Sequence, residues 1–180
     1  APLLDGRVTD RHLARDPDLV VALRDADAVP RTLVVDDPTN RVRLRAYAAT
    51  LATSWPQSRV TLLAALPDPT GDHALRQAGV EVLPTPSEAL EPLLHRRRYH
   101  YSVVITGLDA AASLHAVLEA TQPQAQRILL TDGPRPPTAL AVPNIRRAGV
   151  LLCETNEQVA WAERSCGTPA VAVPATAPSA

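Results

Sequence analysis

Seven short apolar runs punctuate the chain, at 32–35, 60–66, 80–83, 102–106, 127–131, 150–153 and 170–173. Each is too short for a helix and almost continuously apolar, the pattern of strands buried on both faces. Stretches with helical signals lie between them. Asp16 followed by Pro17 pairs an N-cap with a first-turn proline, opening a helix toward Asp27. Asn40 caps a helix carrying Leu44, Tyr47, Ala48 and Leu51, which stops before Pro56. Ser87 caps a helix with Leu90, Leu93 and Leu94. Asp109 caps 110–121, with Leu114, Val117 and Leu118 on one face. Thr155 with Gln158 makes a capping box ahead of Val159 and Trp161. The proline-rich stretch 134–143 reads as a loop followed by a short helix.

Strand–helix–strand repetition implies parallel strands joined by right-handed crossovers. The expected fold is α/β: a doubly wound, mostly parallel Rossmann-like sheet with helices on both faces and central strands at 33–35 and 103–105. Residues 1–30 form an N-terminal extension with one helix, 31–174 the sheet domain, and 175–180 a Pro/Ala linker.

Composition narrows the function. The 180 residues are 46% hydrophobic and 21% charged, with a net charge of −1, so no overall attraction for nucleic acid or an anionic membrane is expected. No apolar run approaches the ~18 residues of a membrane span, and no signal-peptide pattern is seen. All 18 basic residues are arginine. Without lysine there is neither a P-loop phosphate lysine nor a Schiff base. The seven glycines include no G-x-G, so the dinucleotide fingerprint is missing and no cofactor is expected. Cys153 and Cys166 fit no zinc spacing; they read as reduced thiols of a cytoplasmic protein, with a disulfide as the alternative. Heavy Ala, Arg and Pro usage suits a GC-rich bacterial gene.

In a doubly wound sheet the ligand site lies outside the carboxyl ends of the strands. Asp36 and Asp37 follow the first strand directly. They either bind a hydroxylated ligand or a metal, or cap a turn. Thr106, Asp109, Asp132, Glu154 and Thr155 border other strand ends, while Arg43 and Arg45 stand on the helix after the first strand. Asp36, Asp37, Asp109 and Asp132 are expected to converge. Their repulsion raises at least one pKa and calls for an arginine or backbone N–H partner. The dense basic run His95–Arg96–Arg97–Arg98–Tyr99–His100–Tyr101 is either a solvated helix end, where cations suit the macrodipole, or a phosphate or nucleic-acid site.

Segment by segment, the chain resembles one family. RTLVVDD, RLRAYAATL, RVTLLAAL, GVEVLPT, RRRYHYSVVITG, PQAQRILLTDG, RRAGVLLCETNEQ and GTPAVAVP run in the order of the amino-terminal domain of GT-B glycosyltransferases, particularly bacterial family 4. The resemblance covers 31–174. It implies half of an enzyme that transfers a sugar from a nucleotide-sugar to a glycan or lipid-linked acceptor. The acceptor crevice would then hold Asp36, Asp37, Arg43, Arg45, Thr106, Asp109, Asp132, Glu154 and Thr155, with no metal. Donor contacts would come from a carboxy-terminal GT-B domain, and the chain alone would be inactive. Three departures stand out: Val42-Arg43 replace the Gly-Ser pair before the helix arginine, the D-x-H region after its strand is reduced to Asp132-Gly133, and Pro174-Ala175 replace the closing Pro-Asn. The alternative is a non-catalytic Rossmann-like interaction or structural module. A degenerate receiver is a distant third, since Gly107 stands where the phospho-acceptor carboxylate belongs and the required lysine is absent.

Overall fold

A computed structural model describes residues 30–131, 133, 137 and 139–172. The helix expected at 16–27, Asp132 and the tail beyond 172 lie outside the described residues. The chain runs β1 (Arg31–Val35), α1 (Arg41–Ser54), β2 (Arg59–Ala64), α2 (Pro69–Gln77), β3 (Val80–Pro84), α3 (Ser87–Arg96), β4 (Val103–Gly107), α4 (Ala112–Thr121) and β5 (Gln126–Leu130). After a 3-10 turn at Ala139–Ala141 come α5 (Val142–Arg147), β6 (Val150–Cys153), α6 (Asn156–Cys166) and β7 (Ala170–Ala172). The strands form one sheet in the order β3-β2-β1-β4-β5-β6-β7, with every pairing parallel. This is the Rossmann-like doubly wound arrangement. It differs from the 2-1-3-4-5 order of receivers, which removes the degenerate-receiver reading.

All seven expected strands form, with ends shifted by a residue or two. Side-chain alternation divides the core between the two faces of the sheet. Val34, Leu62, Val82, Ile105 and Leu130 pack with Leu44 and Ala48 of α1 and Leu75 of α2. Leu33, Val35, Leu63 and Val104 face Leu94 of α3 and Leu118 of α4. Leu129, Leu151 and Cys153 meet Ile145 of α5 and Ala162 of α6. Val103 is half-buried rather than fully buried.

Three helix starts depart from expectation. Asp109 does not cap α4: the helix begins at Ala112, and its cap position is Ala111, with no side-chain bond. Ser87 is the first helical residue, after Pro86. Asn40 holds the cap position of α1, but its side chain makes no capping bond; Asp37 Oδ1 accepts from the Asn40 N–H at 2.9 Å instead. The Thr155–Gln158 capping box forms as expected. Helix α2 starts at an Asp68-Pro69 pair, whose carboxylate accepts from the Gly71 N–H at 3.2 Å. That is the same start signal as Asp16-Pro17, here ahead of a helix with few apolar residues. Among the described residues no helix is long and apolar enough to cross a membrane.

Candidate functional site

The sheet reverses its winding between β1 and β4, and the carboxyl ends of β1 to β4 open onto a groove of about 490 Å³. Val35, Leu63 and Leu66 from the strand ends, Leu90 of α3, and Leu114 and Val117 of α4 make its apolar wall. Asp36, Asp37, Asp109 and Glu91 bring carboxylates to it, and Thr39, Thr85, Ser87 and Ser113 bring hydroxyls. Among the described residues no arginine or histidine lines it.

Backbone geometry places the two aspartates differently. The Asp37 Oδ1 atom accepts from the N–H groups of Thr39 and Asn40, each at 2.9 Å, which folds the β1–α1 connection into a turn. Its buried Oδ2 has no hydrogen-bond partner and rests above Gly107 at the end of β4. A Cβ at Gly107 would collide with that carboxylate and would lie 2.8 Å from Asn40 Nδ2. The close approach of β1's exit loop to β4 therefore requires glycine at 107.

Asp36 is held beneath the groove, its side chain only 2% exposed. Its Oδ2 pairs with Arg45 Nη2 at 3.4 Å and Arg41 Nε at 3.8 Å, while Oδ1 has no hydrogen-bond partner. Burial pushes the Asp36 carboxyl up, against the pull of Arg45 and Arg41; nearby Asp37 adds a smaller upward push. Burial works against the Arg45 charge too. Its hydrogen bond to Asp72 Oδ1, at 2.7 Å, and the carboxylates of Asp36 and Asp68 outweigh that and leave its pKa above the ordinary value. The expected arginine and N–H partners are present, but the rise at Asp36 comes first from burial, and carboxylate repulsion adds only a small part through Asp37.

The other expected residues separate. Arg43 crosses the top of the sheet, donating to the Thr131 carbonyl at 2.6 Å and pairing with Glu154 at 3.3 Å, so it ties α1 to the ends of β5 and β6. Thr106 is buried in β4 with Oγ1 unbonded. Thr155 is a helix cap. Its partner Gln158 accepts from the Glu154 N–H at 2.8 Å and donates to the Gly133 carbonyl at 2.7 Å. Glu154 and Thr155 thus belong to the β6–α6 junction, not to the groove. Asp109 does line the groove, and Asp132 is outside the described residues.

Sequence reasoning missed the apolar wall from α3 and α4, together with Arg41 and Asp72. The Leu90–Leu94 and Leu114–Val117 spacings signalled a buried face. Which end of that face stays open depends on how two helices diverge, and no sequence period carries that. Among the described residues no group of His, Cys, Asp or Glu is arranged to hold a metal ion. What the groove offers, among the described residues, is a semi-apolar slot with hydrogen-bond acceptors and hydroxyls at one end and no cation in its lining.

No family model matches the chain, and no curated protein matches it.

Proposed function

We propose that this chain is the acceptor-side half of a GT-B type glycosyltransferase, with the groove above β1 to β4 receiving the acceptor and a carboxy-terminal domain binding the nucleotide-sugar. The observation that carries this reading is the groove itself. It lies at the winding reversal, where ligands of doubly wound sheets bind, and combines leucine walls with carboxylates and hydroxyls. A sugar presents hydroxyl donors and an apolar ring face, which suit such a lining. A nucleotide diphosphate presents two or more negative charges, which suit a lining of carboxylates poorly: among the described residues no basic side chain lines the groove, although Arg45 and Arg41 pair with Asp36. The donor therefore needs another domain, and the part of any acceptor that enters is neutral.

One observation favours the non-catalytic module instead. Arg43 and Arg45 are both spent on pairs that join elements of the fold, with Glu154 and Asp72. No cation of α1 lines the groove.

The test is a titration of the full chain with neutral glycosides and, separately, with nucleotide-sugars, followed by amide NMR shifts. Under the glycosyltransferase reading, neutral glycosides shift residues at 35–39 and 109–117 and nucleotide-sugars do not. Leu114→Trp, which fills the slot, abolishes those shifts. Glycosides that leave the groove unshifted favour the structural module, and sugar transfer by the isolated chain would refute the half-enzyme reading.

A further inference from the structure

The amino ends of β1 to β4, at the opposite edge of the sheet, border a second cavity of about 400 Å³. Arg31, Arg59, Arg97 and His100 line it, and among the described residues Glu81 is its only carboxylate. Arg31 and Arg59 are register partners on adjacent parallel strands, about 4.8 Å apart along the sheet, and so project from the same face. Like charges at paired positions repel. Among the described residues no carboxylate pairs with either of them, and Arg31 Nε is buried without a hydrogen-bond partner.

Glu81 does not relieve the cluster. Its Oε1 already accepts from Arg97 at 2.8 Å and Thr61 at 2.9 Å. Arg97 Nη1 in turn donates to the Tyr101 hydroxyl at 2.9 Å, which fixes that guanidinium at the cavity rim. Tyr99 has a backbone φ of 57° in the α3–β4 connection, and His100 next to it lines the same cavity as the arginines.

We propose that this cavity is a binding site for a phosphate-type oxyanion, gripped by the adjacent guanidiniums of Arg31 and Arg59 with His100 as a third donor. Guanidinium forks match the oxygens of a tetrahedral anion, and two forks a strand spacing apart grip opposite edges of one group. The state of His100 agrees. Burial first, and then the charges of Arg31 and Arg97, hold its pKa below the ordinary imidazole value; Glu81 pulls the other way, and Arg59 adds a smaller downward push. An anion seated among them reverses that repulsion. The site is independent of the groove at the other edge and stands whether or not the chain serves a glycosyltransferase.

The experiment follows the His100 ring resonance of the full chain, assigned with His100→Gln, against pH. Inorganic phosphate is compared with chloride at equal ionic strength. Phosphate is expected to raise the His100 pKa saturably. In Arg59→Gln, an exposed position whose loss does not threaten folding, the pKa rises without phosphate because a repelling charge is gone; phosphate then binds at least about tenfold more weakly. Arg31→Gln behaves likewise. Identical His100 titrations in phosphate and chloride would overturn the proposal, and so would a phosphate response undiminished in both variants. A glycerol phosphate arm separates the sources: tighter binding than inorganic phosphate assigns the site to a phosphorylated small molecule, equal binding to the free ion.

Discussion

Replacing Gly107 with alanine tests the geometry at the winding reversal directly. The new methyl would overlap Asp37 Oδ2 and lie 2.8 Å from Asn40 Nδ2, so the β1–α1 turn has to move. Forcing one methyl into a packed site costs about 1–3 kcal/mol. If Asp37 swings away it loses its bonds to the N–H groups of Thr39 and Asn40, both 2.9 Å long. Each contributes about 1 kcal/mol. Alanine returns about 0.4–1 kcal/mol by stiffening the unfolded chain. Whichever way the site yields, the net expectation is a destabilisation of about 1–2 kcal/mol, read from urea unfolding midpoints at constant slope. Asp37→Ala removes both the turn bonds and the nearer colliding group, leaving only the movable end of the Asn40 side chain. The double variant is therefore expected to be hardly less stable than Asp37→Ala alone, a coupling of more than about 1 kcal/mol. A Gly107→Ala protein within about 0.5 kcal/mol of the parent, or additive energies, would refute the packing of Asp37 on β4.

Three further outcomes follow from the structure. His115 is buried between the Arg127 guanidinium, 2.8 Å from Nδ1, and the Leu108 carbonyl, 3.3 Å from Nε2, an arrangement that fits only the neutral Nε2–H tautomer. Burial and Arg127 hold its pKa below 6.5, so stability is full above that pH and declines as pH falls through it toward the folded pKa; His115→Gln should flatten this part of a urea-midpoint profile. Cys153 is fully buried with its thiol pushed up to about 11, while Cys166 is partly exposed, so an Ellman titration of the native protein at mild alkaline pH should count one thiol quickly and the second only after unfolding. In the basic run, Arg96→Gln at an exposed site should change stability by less than about 0.5 kcal/mol. Arg97→Gln, which frees Glu81 and the buried Tyr101 hydroxyl, should cost about 1–2 kcal/mol in the same unfolding assay.

The basic run shows why local chemistry was only partly legible. As a string, His95–Tyr101 admits a solvated helix end or an anion site. The structure splits it. His95 and Arg96 end α3 in solvent, Tyr99 and Tyr101 are buried, and Arg97 and His100 turn toward a cavity. The register that puts Arg31 beside Arg59 is a pairing across 28 residues, and nothing local to either residue encodes it.

The chain's own pattern determined the element types and their parallel packing. Apolar runs of four to seven residues cannot bury both faces except in a covered sheet, and helices between them force crossovers. The same pattern placed Asp36, Asp37 and Asp109 at strand ends, since the period of a strand and its stop residues are local properties. Only the tertiary structure decided which strand ends became neighbours. It set β1 beside β4, drew Asp37 onto Gly107, and turned Arg43 and Glu154 away to brace β5 and β6. Those choices rest on contacts between residues far apart in the chain, where shape and charge are matched in space, and a one-dimensional period has no means of recording them.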